Sequence, residues 1–413
     1  MDIVEKVILI GVRTEDGNTD ASIAELRELL RTAGAKTVGT VVQQREAAHP
    51  GTYLGKGKIE ELKELITETE ATGVVSDDEL SPAQMKNLED LLDIKVMDRT
   101  VVILDIFASH AHTSEGKLQV ELAQCRYQLT RLSGYGRSMS RLGGGIGTRG
   151  PGETKLETDR RRIRQRITGL KADLRELEKT RAVQRSRREK NSVPVAAIVG
   201  YTNAGKSTLL NALTGSSVLS EDKLFATLDP TTRSCTLPEG EIVLLTDTVG
   251  FIHKLPHHLI EAFRSTLEEA KYADIILHVV DASDPSMEQH MQVVYDTLQR
   301  LDVGGKPVLT LFNKCDLVYP GLRLRDPKAD ETLQISALKK EGLSDILNEI
   351  SRILRESRVY IAQLFEYKDA GAIQRIRKEG QLLKEEYRED GIYVEAYVPK
   401  KAAGMFMRPA GEA

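Results

Sequence analysis

An apolar run followed at once by a glycine-rich loop and a helical stretch limits the fold of this chain more than any other feature. The run covers residues 195–199, and the loop reads G-x-x-x-x-G-K-S from Gly200 to Ser207. Glycine permits the tight bend that turns successive backbone N–H groups inward onto phosphate oxygens. A helix starting here adds a partial positive charge at its N-terminus. The pattern predicts a strand–loop–helix unit that binds nucleotide phosphates.

The loop combines two side chains with chemical roles and a set of backbone donors. Lys206 is predicted to reach the β and γ phosphates, and Ser207 to offer its hydroxyl to Mg²⁺. A chance glycine-rich turn is the alternative, and the motifs downstream argue against it. The other loop residues predicted to contact the nucleotide are Gly200, Tyr201, Thr202, Asn203, Ala204, Gly205 and Thr208.

Two later segments have the layout of a nucleotide switch. Residues 224–233 lie where a first switch loop is expected, and a threonine there can close on Mg²⁺ and the γ phosphate; the candidates are Thr227, Thr231 and Thr232. In the following D-x-x-G pattern, Asp247 is predicted to hold a metal-bound water, and the Gly250 N–H to bind the γ phosphate and sense its loss. The other predicted contacts in these segments are Phe225, Ala226, Leu228, Asp229, Thr248 and Val249.

An N-K-x-D motif after the apolar run 308–312 predicts which base is bound. It consists of Asn313, Lys314 and Asp316. An ionised aspartate only accepts hydrogen bonds, and guanine offers two donors, N1–H and the 2-amino group, where adenine offers neither. A mismatch would leave a buried carboxylate unpaired, so the wrong base is rejected. The segment Ser336, Ala337 and Leu338 is predicted to complete the base pocket through its backbone N–H groups. The order of the motifs predicts GTP with Mg²⁺.

The residue that orients the attacking water is not evident. Ras-like GTPases place a glutamine directly after the D-x-x-G glycine, but Phe251 and Ile252 follow here. We predict slow intrinsic hydrolysis, with the water positioned by a retracted side chain, a different residue or a partner. The nearby His253, His257 and His258 better suit a helix start and the surface. Lys206, Thr227 and Gly250 are the predicted catalytic groups.

A strongly basic stretch lies in an otherwise acidic chain. The formal net charge is −4, yet residues 126–190 hold 19 Lys and Arg against 7 Asp and Glu, a local balance of +12. This favours a polyanionic partner at one face, although a solvated helix face is the plainer explanation. Residues 137–152 contain G-x-G-x-x-G without a leading strand, which suits a mobile basic loop or a simple connector. The arginines proposed to contact RNA are Arg141, Arg149, Arg160, Arg161 and Arg164.

Composition excludes several other classes of protein. Cys125, Cys235 and Cys315 are scattered and suit a reducing compartment rather than a disulfide framework or a zinc site. His110 and His112 form an H-x-H pair that no third metal ligand of fixed spacing follows. Hydrophobic residues make up 40% of the chain, and no apolar run approaches the length of a membrane span. The predicted location is the cytoplasm, and peripheral membrane association is compatible with the sequence.

Four domains are expected, because 413 residues exceed a single core. They are a small N-terminal α/β domain (1–115), a Gly-rich loop with a basic helical hairpin (116–191), a Ras-like P-loop domain (192–357) and a small α+β domain with a disordered tail (358–413).

Three local predictions accompany these domains. The first domain is expected to have a parallel sheet with a strand at 101–107. The last is expected to contain a helix at 371–387. In the hairpin, an apolar seam is expected to pack on the helix at 118–132. The seam consists of Ile163, Ile167, Leu170, Leu174 and Leu177.

With these motifs in view, the chain resembles the HflX family of ribosome-associated GTPases over nearly its full length. The runs that carry the resemblance are TYLGKGK (52–58), GGIGTRGPGE (144–153), FATLDPTT (225–232) and DTVGFIHKLP (247–256). The F-A-T-L setting also resembles the Obg-like branch of these proteins, and on that ground we choose Thr227 as the switch threonine.

The resemblance implies an N-terminal α/β domain, a helical linker, a Ras-like G domain and a small C-terminal domain. It also implies binding to the large ribosomal subunit, ribosome-stimulated hydrolysis and the splitting or rescue of stalled ribosomes. Some family members bind ATP through the N-terminal domain, and the glycines and lysines from Gly55 to Lys58 are compatible with this. A GTP-gated binding module for another RNA or protein, without splitting activity, is the alternative function.

Overall fold

The computed structural model describes residues 5–14, 18–139, 151–190, 193–215, 224–225, 228–256, 259, 263, 269–319, 321–356 and 358–399. The chain divides into two compact units. The first comprises Met1–Leu177, Glu221–Asp229 and Gly250–Ser265, and the second Glu178–Ser220, Pro230–Val249 and Thr266–Ala413. Parts of both predicted switch segments therefore belong to the first unit.

A four-stranded parallel sheet forms the centre of the first unit. Its strand order is β2-β1-β3-β4. The apolar run of β1 is buried, with Ile8, Leu9 and Ile10 fully inaccessible, as expected for a parallel strand covered on both faces. This confirms the predicted small α/β domain with a parallel sheet. The elements are β1 (Lys6–Arg13), α1 (Thr19–Thr32), β2 (Lys36–Gln44), α2 (Lys56–Thr69), β3 (Gly73–Ser76), α3 (Pro82–Leu92), β4 (Lys95–Asp98) and α4 (Arg99–His110).

The predicted strand at 101–107 is wrong, because these residues lie within helix α4. The strand of this region is the shorter β4, which ends at Asp98. The Asp98 carboxylate accepts a hydrogen bond from the Val101 N–H at 3.1 Å and so caps the start of α4. The run V-V-I-L-D-I-F is apolar on most sides, and hydrophobic periodicity alone does not separate a buried helix from a buried strand.

Two long helices, α5 (Ser114–Met139) and α6 (Pro151–Lys190), follow the sheet domain. The Arg166 guanidinium donates hydrogen bonds to both oxygens of Glu121, at 2.6 and 2.7 Å, and this ion pair joins the two helices. Leu170 is buried, and the other members of the predicted seam are half-buried between exposed neighbours. The ion pair shows that the two helices contact each other, and the packing of the seam on the helix at 118–132 stays a prediction.

The second unit contains a six-stranded sheet with the order β10-β9-β8-β5-β7-β6. Neighbouring strands are parallel except β6, which runs antiparallel to β7. Because parallel strands end at one edge, Gly200, Asp247 and Asn313 lie at the same edge of this sheet. The elements are β5 (Val195–Gly200), α7 (Lys206–Thr214), β6 (Thr231–Thr236), β7 (Ile242–Asp247), α8 (Glu269–Tyr272), β8 (Ile275–Asp281), α9 (Met287–Arg300), β9 (Val308–Asn313), β10 (Glu331–Gln334) and α10 (Leu343–Glu356).

A three-stranded antiparallel sheet with one helix completes the second unit. It consists of β11 (Arg358–Phe365), α11 (Ala370–Glu379), β12 (Gln381–Arg388) and β13 (Gly391–Pro399), with β13 in the middle. The helix predicted at 371–387 is wrong beyond residue 379, because the chain turns at Gly380 into a strand that pairs with β13. A Cβ at Gly380 would meet the Tyr397 carbonyl oxygen at 2.6 Å, so this close turn requires glycine. The predicted disordered tail lies outside the described residues.

Within the described part of the chain, no helix combines the length and apolar character needed to cross a bilayer. The same residues contain no cluster of three or more His, Cys, Asp or Glu side chains suited to a metal ion. The three cysteines are free thiols.

Candidate nucleotide-binding site

The glycines of the loop occupy places where a side chain does not fit. Gly205 has φ +94°, a left-handed conformation, and a Cβ there would overlap the amide nitrogen of Asn313. A Cβ at Gly200 would overlap the backbone carbonyl of Val279. Helix α7 begins directly after Gly205, at Lys206. The loop and the helix N-terminus therefore form the predicted anion-binding geometry.

The Lys206 side chain is buried and folds back over the loop. Its ammonium donates a hydrogen bond to the Tyr201 carbonyl at 2.6 Å, and only 7% of the residue is exposed. Burial disfavours the charged form and lowers the pKa of Lys206 to about 8, while the negative charge of Asp247 acts in the opposite direction. The ammonium is thus held at the loop by a backbone carbonyl of the loop itself.

Nucleotide binding is expected to take up a proton at mildly alkaline pH. Near pH 8.5 most Lys206 side chains in the nucleotide-free protein are neutral, and bound phosphates raise the pKa by favouring the ammonium form. Binding should therefore draw most of a proton from the buffer, and affinity should fall by up to about tenfold per pH unit above 8. Calorimetric titration with GDP at pH 8.5, in two buffers of different ionisation enthalpy, measures this uptake. The same titration at pH 7.5 is the control, because Lys206 is largely protonated there; equal uptake at the two pH values would contradict the prediction.

Ser207 and Asp247 meet beside the loop. The Ser207 hydroxyl donates a hydrogen bond to Asp247 Oδ2 at 2.7 Å, and Asp247 is fully buried at the end of β7. Thr248 is held to β5 through its hydroxyl, which donates to the Ile198 carbonyl at 2.8 Å. A hydroxyl and a carboxylate supply the hard oxygen donors that Mg²⁺ prefers, so this pair suits the metal predicted from the sequence.

The N-K-x-D segment is tied to the phosphate loop through a buried asparagine. The Asn313 side-chain amide donates to the Ala204 carbonyl at 2.9 Å, and its Oδ1 accepts the Ala337 N–H at 2.9 Å. The ammonium of Lys314 lies 2.7 Å from a carboxylate oxygen of Asp281, at the end of β8. Asn313 therefore joins the loop, β9 and the 336–338 segment into one site.

Asp316 is held in its ionised form. The Ser336 hydroxyl donates a hydrogen bond to its Oδ1 at 2.7 Å, and this bond, with the charges of Lys339 and Lys314, keeps the pKa of Asp316 below its usual value. The backbone N–H of Ser336 is already donated to the Glu341 carbonyl. The Ala337 N–H is donated to Asn313 Oδ1. Two of the three backbone N–H groups predicted to line the base pocket therefore bind other protein groups.

Sequence reasoning missed several residues of this site. The rings of Tyr201 and His290 stack with centroids 3.7 Å apart, and His290 Nδ1 lies 3.2 Å from Asp284. No spacing rule points to His290. Asp281 was detectable, because polar residues at the carboxyl ends of parallel strands gather at one edge.

Several of the predicted switch residues, and two of the predicted arginines, lie in three other places. Phe225 packs edge-on against Phe107 in the first unit, with ring centroids 4.7 Å apart, and Leu228 is buried there. Asp229 accepts the N–H groups of His112 and Thr113, each at 2.9 Å. Their contacts with GTP, and that of Gly250 in the same unit, stay predictions. Of the other threonine candidates, Thr231 and Thr232 lie in strand β6. Ala226, Thr227, Arg141 and Arg149 lie outside the described residues.

The strand order, the phosphate loop, the Ser207–Asp247 pair and the placement of Asp316 agree on one class of protein. The second unit is a P-loop GTPase, which binds GTP and hydrolyses it to GDP and phosphate.

Comparison with curated proteins narrows the class to a family. The chain is 62% identical over 401 residues to GTPase HflX of Lacrimispora saccharolytica, covering 97% of this chain and 95% of that protein. It is 44% identical over 317 residues to GTPase HflX of Escherichia coli, covering 77% and 74%. The chain belongs to the HflX GTPase family.

Family models match three consecutive regions. Residues 20–108 match a model described as GTP-binding GTPase N-terminal, residues 110–188 one described as GTP-binding GTPase Middle Region, and residues 195–314 one described as 50S ribosome-binding GTPase. Among solved structures, a GTP-binding protein from Sulfolobus solfataricus in complex with GDP is 24% identical, with a TM-score of 0.45, and covers 86% of this chain and 99% of that one.

Proposed function

We propose that this chain is a Mg²⁺-dependent GTPase that binds the large ribosomal subunit, is stimulated by the ribosome and splits or rescues stalled ribosomes. The match of residues 195–314 to a family described as 50S ribosome-binding GTPase carries this proposal. The proposed organisation is the one expected from the sequence, with boundaries at 115, 191 and 357. The proposed location is the cytoplasm, and peripheral membrane association stays a prediction.

The exposed face of α6 supports an RNA partner. Arg161 and Arg164 are exposed there, and Arg160 is half-buried. Arginine binds phosphates through a planar fork of donors that presents two hydrogen bonds at once. A row of such side chains on one helix face suits the phosphate backbone of ribosomal RNA, and contact of this kind weakens as salt rises.

The surroundings of Gly250 support hydrolysis that depends on a partner. Phe251 and Ile252 follow it, and both are buried, with about 2% of each residue exposed. Neither side chain can hydrogen-bond a water, so the chain lacks the glutamine that performs this step in Ras-like proteins. We propose that Ser207 and Thr227 ligate Mg²⁺, that Asp247 acts through a metal-bound water, and that ribosome binding completes the water-positioning arrangement.

A GTP-gated binding module for another partner remains the second candidate, because the buried Phe251 also fits a protein with negligible turnover. ATP binding by the N-terminal domain stays a prediction. Helix α2 does begin at Lys56, but the Gly55 N–H at its start is donated to Gln43 Oε1 at 2.8 Å, and Lys58 pairs with Glu61.

Hydrolysis measured with and without ribosomes tests the proposal. Purified protein alone, with large subunits and with whole ribosomes is assayed at low and moderate salt. We expect stimulation of at least about tenfold that declines as salt rises and is lost in Lys206→Ala. Sedimentation of whole ribosomes with the protein and a non-hydrolysable GTP analogue tests splitting.

A matched pair of variants separates the arginine face from a general loss of charge. Arg161→Gln with Arg164→Gln should reduce stimulation, whereas Arg323→Gln with Arg325→Gln, which removes the same charge from exposed positions of the second unit, should not. If ribosomes left the rate unchanged while GTP still bound tightly, the binding-module function would take precedence.

A further inference from the structure

The strand order of the N-terminal sheet places a switch point at its carboxyl edge, where parallel α/β proteins commonly bind ligands. With the order β2-β1-β3-β4, the chain leaves β1 toward β2 on one side and later returns to β3 on the other. Such a reversal of direction opens a crevice outside the strand ends. The residues directly after β3, Asp77 and Asp78, lie at this edge.

Neighbouring side chains fix both carboxylates in place. Asp77 is 1% exposed and accepts hydrogen bonds from the Ser22 hydroxyl, at 2.7 and 2.9 Å, and from Arg99 at 3.0 Å. Asp78 accepts one from the Tyr53 hydroxyl at 2.6 Å, and that hydroxyl in turn accepts the Val12 N–H at 3.2 Å. The pair is thus a preorganised site for a cation, whose orientation is set by the fold.

A lysine of the same unit occupies this site. The ammonium of Lys254 lies 2.5 Å from Asp77 Oδ2 and 2.6 Å from Asp78 Oδ1. Burial alone would lower the pKa of Lys254, but the charge of Asp77 and the hydrogen bonds to both carboxylates outweigh it and raise the pKa. The residue also has φ +54°, a left-handed conformation that is costly for a non-glycine residue and needs compensating contacts.

We propose that Asp77 and Asp78 form a binding site for a primary ammonium group, that its ligand is Lys254, and that this contact anchors residues 250–256 to the N-terminal domain. The anchored segment begins at Gly250, whose backbone N–H is predicted to bind the γ phosphate and to sense its loss. An anchor four residues further along the chain therefore opposes movement of this segment. That last consequence rests on the proposed nucleotide switch, whereas the lysine site itself does not.

Hydrogen exchange of the backbone N–H groups at 250–255 tests the anchor in the full-length protein without nucleotide or ribosomes, since Pro256 has no N–H. Lys254→Met retains much of the side-chain length and removes the charge; it should accelerate exchange in this segment by about tenfold or more, because charged hydrogen bonds are the stronger ones. Asp78→Asn removes one of the two carboxylates that hold Lys254 and retains an acceptor for Tyr53, so it should accelerate exchange by a smaller factor. The double variant should exchange no faster than Lys254→Met alone, since without the ammonium the Asp78 carboxylate has no part in the anchor.

Matched controls keep the outcome clear. Lys271→Met removes an ammonium that pairs with the exposed Asp302 in the second unit, and it should leave exchange at 250–255 unchanged. Asp78 is the acidic position chosen because Asp77 also binds Arg99, so its loss could unfold the domain. Unchanged exchange in Lys254→Met, or additive effects in the double variant, would overturn the proposal. Because ribosomes are absent, failure of ribosome stimulation leaves this result unaffected.

Discussion

Replacing Asp316 with asparagine is expected to lower the affinity for GTP by about 10³-fold and to create a preference for xanthosine triphosphate. The aspartate accepts hydrogen bonds from two guanine donors, and the asparagine amide presents a donor to one of them. Xanthine carries a carbonyl where guanine has its 2-amino group, so the new amide finds an acceptor. Competition binding with GTP, GDP and the xanthine nucleotides measures the change.

Asp316→Asn is expected to leave the local structure unchanged. Asparagine retains an oxygen that can accept the Ser336 hydroxyl, which now donates to Asp316 Oδ1. Asp302→Asn makes the same chemical change at a side chain that is 77% exposed, and should leave both affinities as they were. If Asp316→Asn bound GTP with an affinity within about threefold of the original, Asp316 would not be the residue that recognises the base.

Gly205→Ala is expected to destabilise the second unit by about 3 kcal/mol and to abolish nucleotide binding. Its φ of +94° is strained for alanine, and the new methyl group would overlap the Asn313 amide. Asn313 cannot retreat, because it is buried and bonded to Ala204 and Ala337. Equilibrium urea unfolding and a GDP titration measure the two effects.

Gly215→Ala is the matched control for backbone strain. Gly215 also has a left-handed conformation, with φ +65°, but no atom lies within 4 Å of a Cβ placed there. Its alanine variant should lose only about 1 kcal/mol and should still bind GDP. Equal losses in the two variants would show that strain, rather than the contact with Asn313, accounts for the effect.

Motifs made of contiguous residues were predictable. The loop from Gly200 to Ser207 depends on local backbone conformation, so its glycine spacing is visible in the chain itself, and α7 begins where the motif ends. The base motif is predictable for a similar reason, because hydrogen-bond complementarity to guanine depends on one carboxylate. These signals led to the class of protein and, with the other runs, to the family.

Secondary structure without a periodic signal was not predictable. The run at 101–107 is apolar enough for a buried strand, and what makes it helical is the Asp98 cap together with burial on several sides. The stretch at 381–388 looks helical by composition, and it becomes a strand because β13 offers a partner beyond Gly380. In both cases the deciding contacts come from elsewhere in the fold.

The sequence alone determined the nucleotide class and the type of each domain, because those properties depend on short runs of residues and their order. Only the tertiary structure decided which distant side chains meet. Tyr201 stacks on His290, Lys314 pairs with Asp281, and Lys254 reaches Asp77, 177 residues away in the chain. The energy of such pairs depends on distance and burial, which are properties of the folded chain and have no counterpart in local sequence.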